Sequence, residues 1–256
     1  MIELGRERDQ SELVAGTRLV LIRHGEAVSN TDDLIGGHKG CRGLTERGVA
    51  QCEALARRFE RTGELAEAAA MWTSVLPRAV ESARILAPAV GVDAAHESCS
   101  LCEQHPGEAD GLSWVEYERR YLRRSLPGMD PDLPLSPGGE SWFELLDRAA
   151  SALIDLACRY PGELVVVVTH GGVIGSSFIR FLELPDNGSG VQLHVDNTSI
   201  TEWLYTGRRW RLVRLNDAAH LFDTAERDLR PLTPPWVDDE VELEATADQL
   251  LGQSPA

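Results

Sequence analysis

Short continuous apolar runs alternate along this chain with longer stretches in which apolar residues recur every three or four positions. That alternation predicts strands interleaved with amphipathic helices. The run LVLI at 19–22 reads as a short buried strand. Thr45 is placed to cap a helix reaching about Glu60, with Val49, Cys52, Leu55 and Phe59 spaced along one face. AAAMWTS at 68–74 reads as a second strand, and Pro77 suits the first turn of a helix whose inner side carries Val80, Ala83, Leu86 and Val90. Trp142, Leu145, Leu146, Ala149, Leu153 and Leu156 mark a long helix, followed by the strand ELVVVVTH at 163–170. That strand passes through Gly171 and Gly172 into another helix, VIGSSFIRFL. VQLHVDN at 191–197 and SITEWLYTG at 199–207 read as late strands, with RWRLVRLN at 209–216 as a further candidate.

Strands alternating with helices predict an α/β fold: a three-layer sandwich with a mostly parallel central sheet and helices on both faces. Residues 91–140 break the pattern, being irregular and rich in Pro, Gly and Arg, and read as an insertion acting as a lid. The expected organisation is a polar leader at 1–16, a body at 17–216 and an acidic tail at 217–256, where WVDDEVELEATADQLL carries six acids and no base.

Composition narrows the partners. The 256 residues carry a formal net charge of −16, which disfavours nucleic acid and anionic membranes as partners. Five scattered cysteines do not make a disulfide framework, so a reducing cytoplasm is expected. The charged start MIELGRERDQSEL has no apolar core of the signal-peptide kind, and the run LVVVV is too short to span a bilayer. An exposed sheet edge leaves pairing into a homodimer open.

Two strand ends carry the candidate chemistry. VLIRHG closes one buried strand with Arg23 and His24, and VVVTHGG closes another with His170. In open parallel sheets ligands collect at the carboxyl ends of strands, so both imidazoles are expected at one crevice. LPRAVESA places Arg78 in the first turn of a helix, where a cation opposes the helix dipole and suggests an anionic ligand. Two arginines and two histidines at successive strand ends suit a phosphate dianion, which Arg binds through bidentate, charge-assisted hydrogen bonds.

The ordered segments RHGEAVSN, LPRAVESA, LCEQHPGEADGL, SPGGES and VVVTHGG, spanning roughly residues 18–206, resemble the motifs of the histidine phosphatase superfamily and its phosphoglycerate mutase-like branch. The resemblance implies that His24 is the nucleophile that becomes a phosphohistidine. It implies that Arg23, Arg78 and His170 hold the phosphoryl oxygens, that Asn30 adds a phosphate contact, and that Glu103 protonates the leaving oxygen. The expected activity is hydrolysis of a small phosphorylated metabolite, with no metal and no cofactor. RHGEAVSN lacks the Trp that phosphoglycerate mutases place before the Asn, which favours a phosphatase. A phosphoglycerate mutase and a catalytically silent phosphate-binding module are the alternatives. No glycine-rich loop of the nucleotide-binding kinds is present.

Two further features need weighing. His96, Cys99, Cys102 and His105 recur at three-residue intervals, as zinc ligands can. On an extended segment that interval turns successive side chains to opposite faces, so no metal site is expected there. Arg119, Arg120, Arg123 and Arg124 form either an anion-attracting lid or a solvated helix face partnered by Glu116 and Glu118.

Overall fold

The computed structural model describes residues 16–121, 131–184 and 193–222. The proposed leader up to residue 15, the tail beyond 222, and Arg123 with Arg124 lie outside the described residues. The elements follow in the order β1 (Thr17–Arg23), α1 (Val28–Thr31), α2 (Glu46–Thr62), β2 (Ala68–Thr73), α3 (Pro77–Val90), β3 (His96–Glu97), α4 (Trp114–Arg120), α5 (Trp142–Arg159), β4 (Leu164–Thr169), α6 (Gly171–Phe181), β5 (Ile200–Tyr205) and β6 (Trp210–Asp217).

Local chemistry sets the main boundaries. The Thr45 hydroxyl accepts a hydrogen bond from Gly48 N at 2.9 Å to open α2, and Ser141 with Glu144 forms a capping box at α5. Pro77 opens α3. The strands assemble into one six-stranded sheet ordered β3-β2-β4-β1-β5-β6. β1 pairs in parallel with β4, which pairs in parallel with β2, whereas β5 and β6 run antiparallel.

Alternation along the strands builds two cores. Val20, Ile22, Val166 and Val168 pack under Leu55 and Phe59 of α2 and Ala83 and Leu86 of α3. Leu19, Leu21, Val165 and Val167 face the other way, onto Leu145 and Leu153 of α5 and Val173 and Phe178 of α6. Each buried aliphatic side chain contributes about 1.5–3 kcal/mol, which explains why β4 is apolar at nearly every position. The three layers therefore match the expected sandwich.

Four sequence expectations change. Val49 faces solvent, and the inner face of α2 is lined instead by Gly48, Gln51, Cys52, Leu55 and Phe59. Residues 193–197, read as part of a strand, are coil. Buried Asp196 takes hydrogen bonds from Asn216 Nδ2 at 3.0 Å and His194 Nε2 at 2.9 Å, and its own N–H bonds Asn216 Oδ1, so side chains have replaced a strand partner. The stretch 91–121 is also less irregular than its composition suggests. Ser113 and Glu116 form a capping box that starts α4. Finally, residues 217–222, counted with the acidic tail, pack onto the body through Asp217, His220 and Leu221.

Candidate active site

β1, β4 and β2 are neighbours in the sheet, so their carboxyl ends converge. Arg23 ends β1 and His24 follows it; His170 follows β4; Arg78 lies in the first turn of α3, just past β2. A crevice of about 340 Å³ opens there, lined by Arg23, His24, Asn30, Arg78, Glu103 and Gln104 among others. That volume suits a small polar metabolite.

The inner end of the crevice is a cluster of three basic side chains. Arg78 Nε donates to His24 Nε2 at 3.0 Å and to His170 Nδ1 at 3.2 Å, and Arg78 Nη1 donates to Gly36 O at 2.6 Å. The two imidazole centroids are 5.0 Å apart. His24, Arg78 and His170 are all buried. Burial, followed by the charges of Arg78 and Arg23, holds the His24 pKa well below its ordinary value. Burial and Arg78 do the same to His170.

The hydrogen bonds then assign the tautomers. His24 Nδ1 lies 2.6 Å from Gly25 O, a carbonyl that can only accept, so Nδ1 carries the proton and Nε2 keeps its lone pair. His170 accepts at Nδ1 and so carries its proton on Nε2, an atom with no hydrogen-bond partner among the described residues. The site thus presents one imidazole nitrogen with a lone pair beside a buried N–H donor and an arginine, an arrangement able to receive a phosphoryl group.

The backbone around His24 is tightly held. His24 N donates to Thr169 O at 2.9 Å, and Asn197 Nδ2 donates to His24 O at 2.9 Å. Arg23 Nη1 bonds Val195 O. A Cβ at Gly25 would come within 2.5 Å of Gly48 O, so only glycine lets α2 approach this turn.

Glu103 reaches the same crevice from the 91–140 segment. Its Oε2 accepts from Gly172 N in the first turn of α6 at 3.0 Å. A Cβ at residue 172 would stand 2.0 Å from Glu103 Oε1, so Gly172, two residues after His170, makes room for the acid. Arg148 supports Glu103 from behind. It donates to both Glu140 carboxylate oxygens at 2.7 Å and to the carbonyls of Cys102 and Glu103 at 3.0 and 3.3 Å.

Asn30 Oδ1 accepts from Ala27 N at 3.0 Å, which is the turn role, and the residue also lines the crevice. The arginine run contributes nothing to the crevice lining among the described residues. Arg119 and Arg120 are exposed, and Arg120 pairs with Glu116 at 3.7 Å on the solvated face of α4. Sequence reasoning missed Asn197, Gln104, Trp114 and the Arg148–Glu140 pair. The segments LCEQHPGEADGL, which contains Gln104, and SPGGES, which contains Glu140, carried the signals for two of them.

The cysteine-histidine segment also differs from expectation. Residues Cys99–Leu101 form a single 3-10 turn rather than an extended strand, so Cys99, Cys102 and His105 converge. His96 does not join them; it lies against Trp72 with ring centroids 4.9 Å apart.

Known proteins are similar to this chain in sequence and fold. The profile of the Histidine phosphatase superfamily (branch 1) matches residues 19–218. Phosphoglycerate mutase-like protein 4 of Arabidopsis thaliana is 32% identical over 222 residues, covering 85% of this chain and 92% of the relative. The metal-independent phosphoserine phosphatase of the same plant is 31% identical over 207 residues, covering 80% and 83%. Among solved structures, phosphoserine phosphatase of Entamoeba histolytica in complex with 3-phosphoglyceric acid superposes with a TM-score of 0.64 at 27% identity, covering 80% of this chain and 99% of that one.

Proposed function

The chain belongs to branch 1 of the histidine phosphatase superfamily, and from that premise we propose that it hydrolyses small phosphomonoesters through a phosphohistidine formed on His24 Nε2. The observation that carries this reading is the neutral His24 whose Nε2 faces Arg78 beside the free N–H of His170.

In the first step His24 Nε2 bonds phosphorus as the ester P–O bond breaks, and Glu103 gives its proton to the departing alkoxide oxygen. In the second, Glu103 takes a proton from a water whose oxygen displaces the imidazole, releasing inorganic phosphate and restoring His24. Arg23, Arg78, Asn30 and His170 bind the equatorial oxygens, whose charge must be stabilised in both displacements. Every one of these roles is filled by a side chain of this protein, so the phosphoryl transfer needs no metal ion. The five cysteines, all free thiols, support a reducing cytoplasm as the working compartment. Among the described residues no helix is long and apolar enough to cross a membrane.

The test is phosphate release from p-nitrophenyl phosphate in EDTA by the wild type and His24→Ala. We expect turnover by the wild type and a loss on the order of 10⁴-fold or more in kcat/KM for the variant. Equal rates in the two proteins would remove His24 as the nucleophile. Phosphoglycerate assayed in parallel separates hydrolysis, which yields free phosphate, from a mutase, which yields the isomer.

A further inference from the structure

The cysteines and histidines beside the crevice converge in a way that the catalytic chemistry does not use. His38, Cys99, Cys102 and His105 bring their ligand atoms within 4.8 Å of one another. Cys99 Sγ lies 3.6 Å from His38 Nε2 and 3.5 Å from His105 Nε2. A tetrahedral zinc with Zn–S of about 2.3 Å and Zn–N of about 2.05 Å would separate a sulfur from a nitrogen ligand by about 3.6 Å. The two Cys99–histidine separations match that spacing and the remaining ligand atoms lie within 4.8 Å, and we propose that His38, Cys99, Cys102 and His105 form a structural zinc site.

The surroundings fit a bound cation. Glu140 Oε2 accepts from the His105 backbone N–H at 3.1 Å and lies 3.9 Å from His105 Nδ1, so a carboxylate stands beside one candidate ligand. The Ser74 hydroxyl donates to Cys102 Sγ at 3.3 Å. Arg148 Nη1 donates to the carbonyls of Cys99, Ser100 and Cys102 and so fixes the turn that carries both thiols. On the other side, Asp110 accepts from the N–H groups of Gly37, Lys39 and Gly40, which fixes the loop that presents His38. Two thiolates and two imidazoles select a soft or borderline ion, and binding releases one proton from each thiol that coordinates.

The site would join two walls of the crevice. His38 follows Gly36 and Gly37, which line it and of which Gly36 holds Arg78. Glu103 and Gln104 lie between the ligands Cys102 and His105 and line the crevice as well. Zinc would tie the loop behind Arg78 to the segment carrying the proposed acid. This positioning consequence rests on the phosphatase reading; the metal site itself does not.

The experiment uses the full chain purified under reducing conditions and titrated with zinc, with bound metal counted by mass spectrometry and the cobalt form examined spectroscopically. We expect one zinc per chain, and for cobalt a thiolate charge-transfer band with intense tetrahedral visible bands. Both signals should fall at least tenfold in Cys99→Ser and in His38→Ala, two exposed positions whose replacement leaves the core intact, while His96→Ala keeps them. The proposal is overturned if the reduced wild type takes up no zinc, if Cys99→Ser with His38→Ala binds as well as wild type, or if Cys99 and Cys102 are isolated as a disulfide that excludes metal. Metal content is read without turnover, so its failure leaves the phosphatase reading standing, and an inactive protein that binds zinc leaves the metal site standing.

Discussion

Two charged clusters in this molecule follow opposite rules. At the antiparallel side of the sheet, cations and carboxylates alternate: Arg18 bonds Glu202 at 2.8 Å, Glu202 bonds Arg214 at 3.1 Å, Arg214 bonds Glu64 at 2.7 Å, Glu64 bonds Arg58 at 2.8 Å, and Arg58 bonds Asp217 at 2.7 Å. Each charge is answered within the fold. Hydrogen bonds from Arg58 take the Asp217 carboxyl down to about 2, and those from Arg214 and Arg58 lower Glu64 against the opposing effect of burial. In the crevice, Arg78 is buried yet forms no ion pair among the described residues, and it spends its donors on two imidazoles and a carbonyl. Burying a cation without a carboxylate is costly. A dianionic phosphoryl group would offset that cost on arrival, so the contrast is what the proposed phosphate site demands of one cluster and what stability demands of the other.

Arg78→Ala puts this contrast to its strongest test. We expect kcat/KM to fall by about 10³-fold while the thermal midpoint changes little or rises, because the variant removes an unanswered charge along with three hydrogen bonds. A large drop in midpoint with activity retained would mean that the cluster is structural. Glu103→Gln should lower kcat by about 10²-fold on an alkyl phosphate and much less on p-nitrophenyl phosphate, whose leaving group needs no proton. An equal loss on both substrates would assign Glu103 to binding instead.

The compensated cluster should respond the other way. Arg58→Ala leaves Asp217 with only Arg214 at 3.4 Å and the Ala219 N–H, and Glu64 with only Arg214 among its ion-pair partners, and we expect about 2–3 kcal/mol less stability in urea denaturation. Its kcat and KM should match wild type at temperatures where it is folded; a catalytic defect would show that the two regions are coupled.

His220 stands between them and supplies the smallest effect. Its Nε2 lies 2.8 Å from Thr198 Oγ1, and burial, then Arg58, lowers its pKa to about 4. The unfolded chain takes up that proton near pH 6.5 and the folded chain only near 4, so stability falls as pH drops through this window. By pH 5 the loss is about 2 kcal/mol. Urea midpoints at pH 7 and pH 5 should differ by less in His220→Gln than in wild type, and an unchanged difference would assign the acid sensitivity elsewhere. His24 is lowered in the same direction, so the acidic limb of kcat/KM should lie below pH 6.5.

Much of this was readable along the chain. LVLI and LVVVV are strands because continuous aliphatic runs must be covered on both faces, and Thr45 and Ser141 open helices because their hydroxyls satisfy free N–H groups within a few residues. Arg23, His24, Arg78 and His170 follow from those strand ends, since a strand that terminates at the carboxyl edge of a parallel sheet delivers its next residue to the crevice. Both signals are local, and local interactions do not depend on what the rest of the chain does.

Tertiary structure alone decided the contacts between distant segments. VQLHVDN alternates like a strand, yet residues 193–197 became coil because Asp196 and Asn197 bind Asn216 and the His24 carbonyl instead of a sheet neighbour. Glu103 reached the crevice because Gly172 left space for it and Arg148 held its carbonyl. Cys99 and Cys102 met His38 rather than His96 because one 3-10 turn rotated them out of an extended path. None of these outcomes has a period in the sequence. Each depends on where a loop of irregular backbone closes, and that is set by packing between residues tens of positions apart.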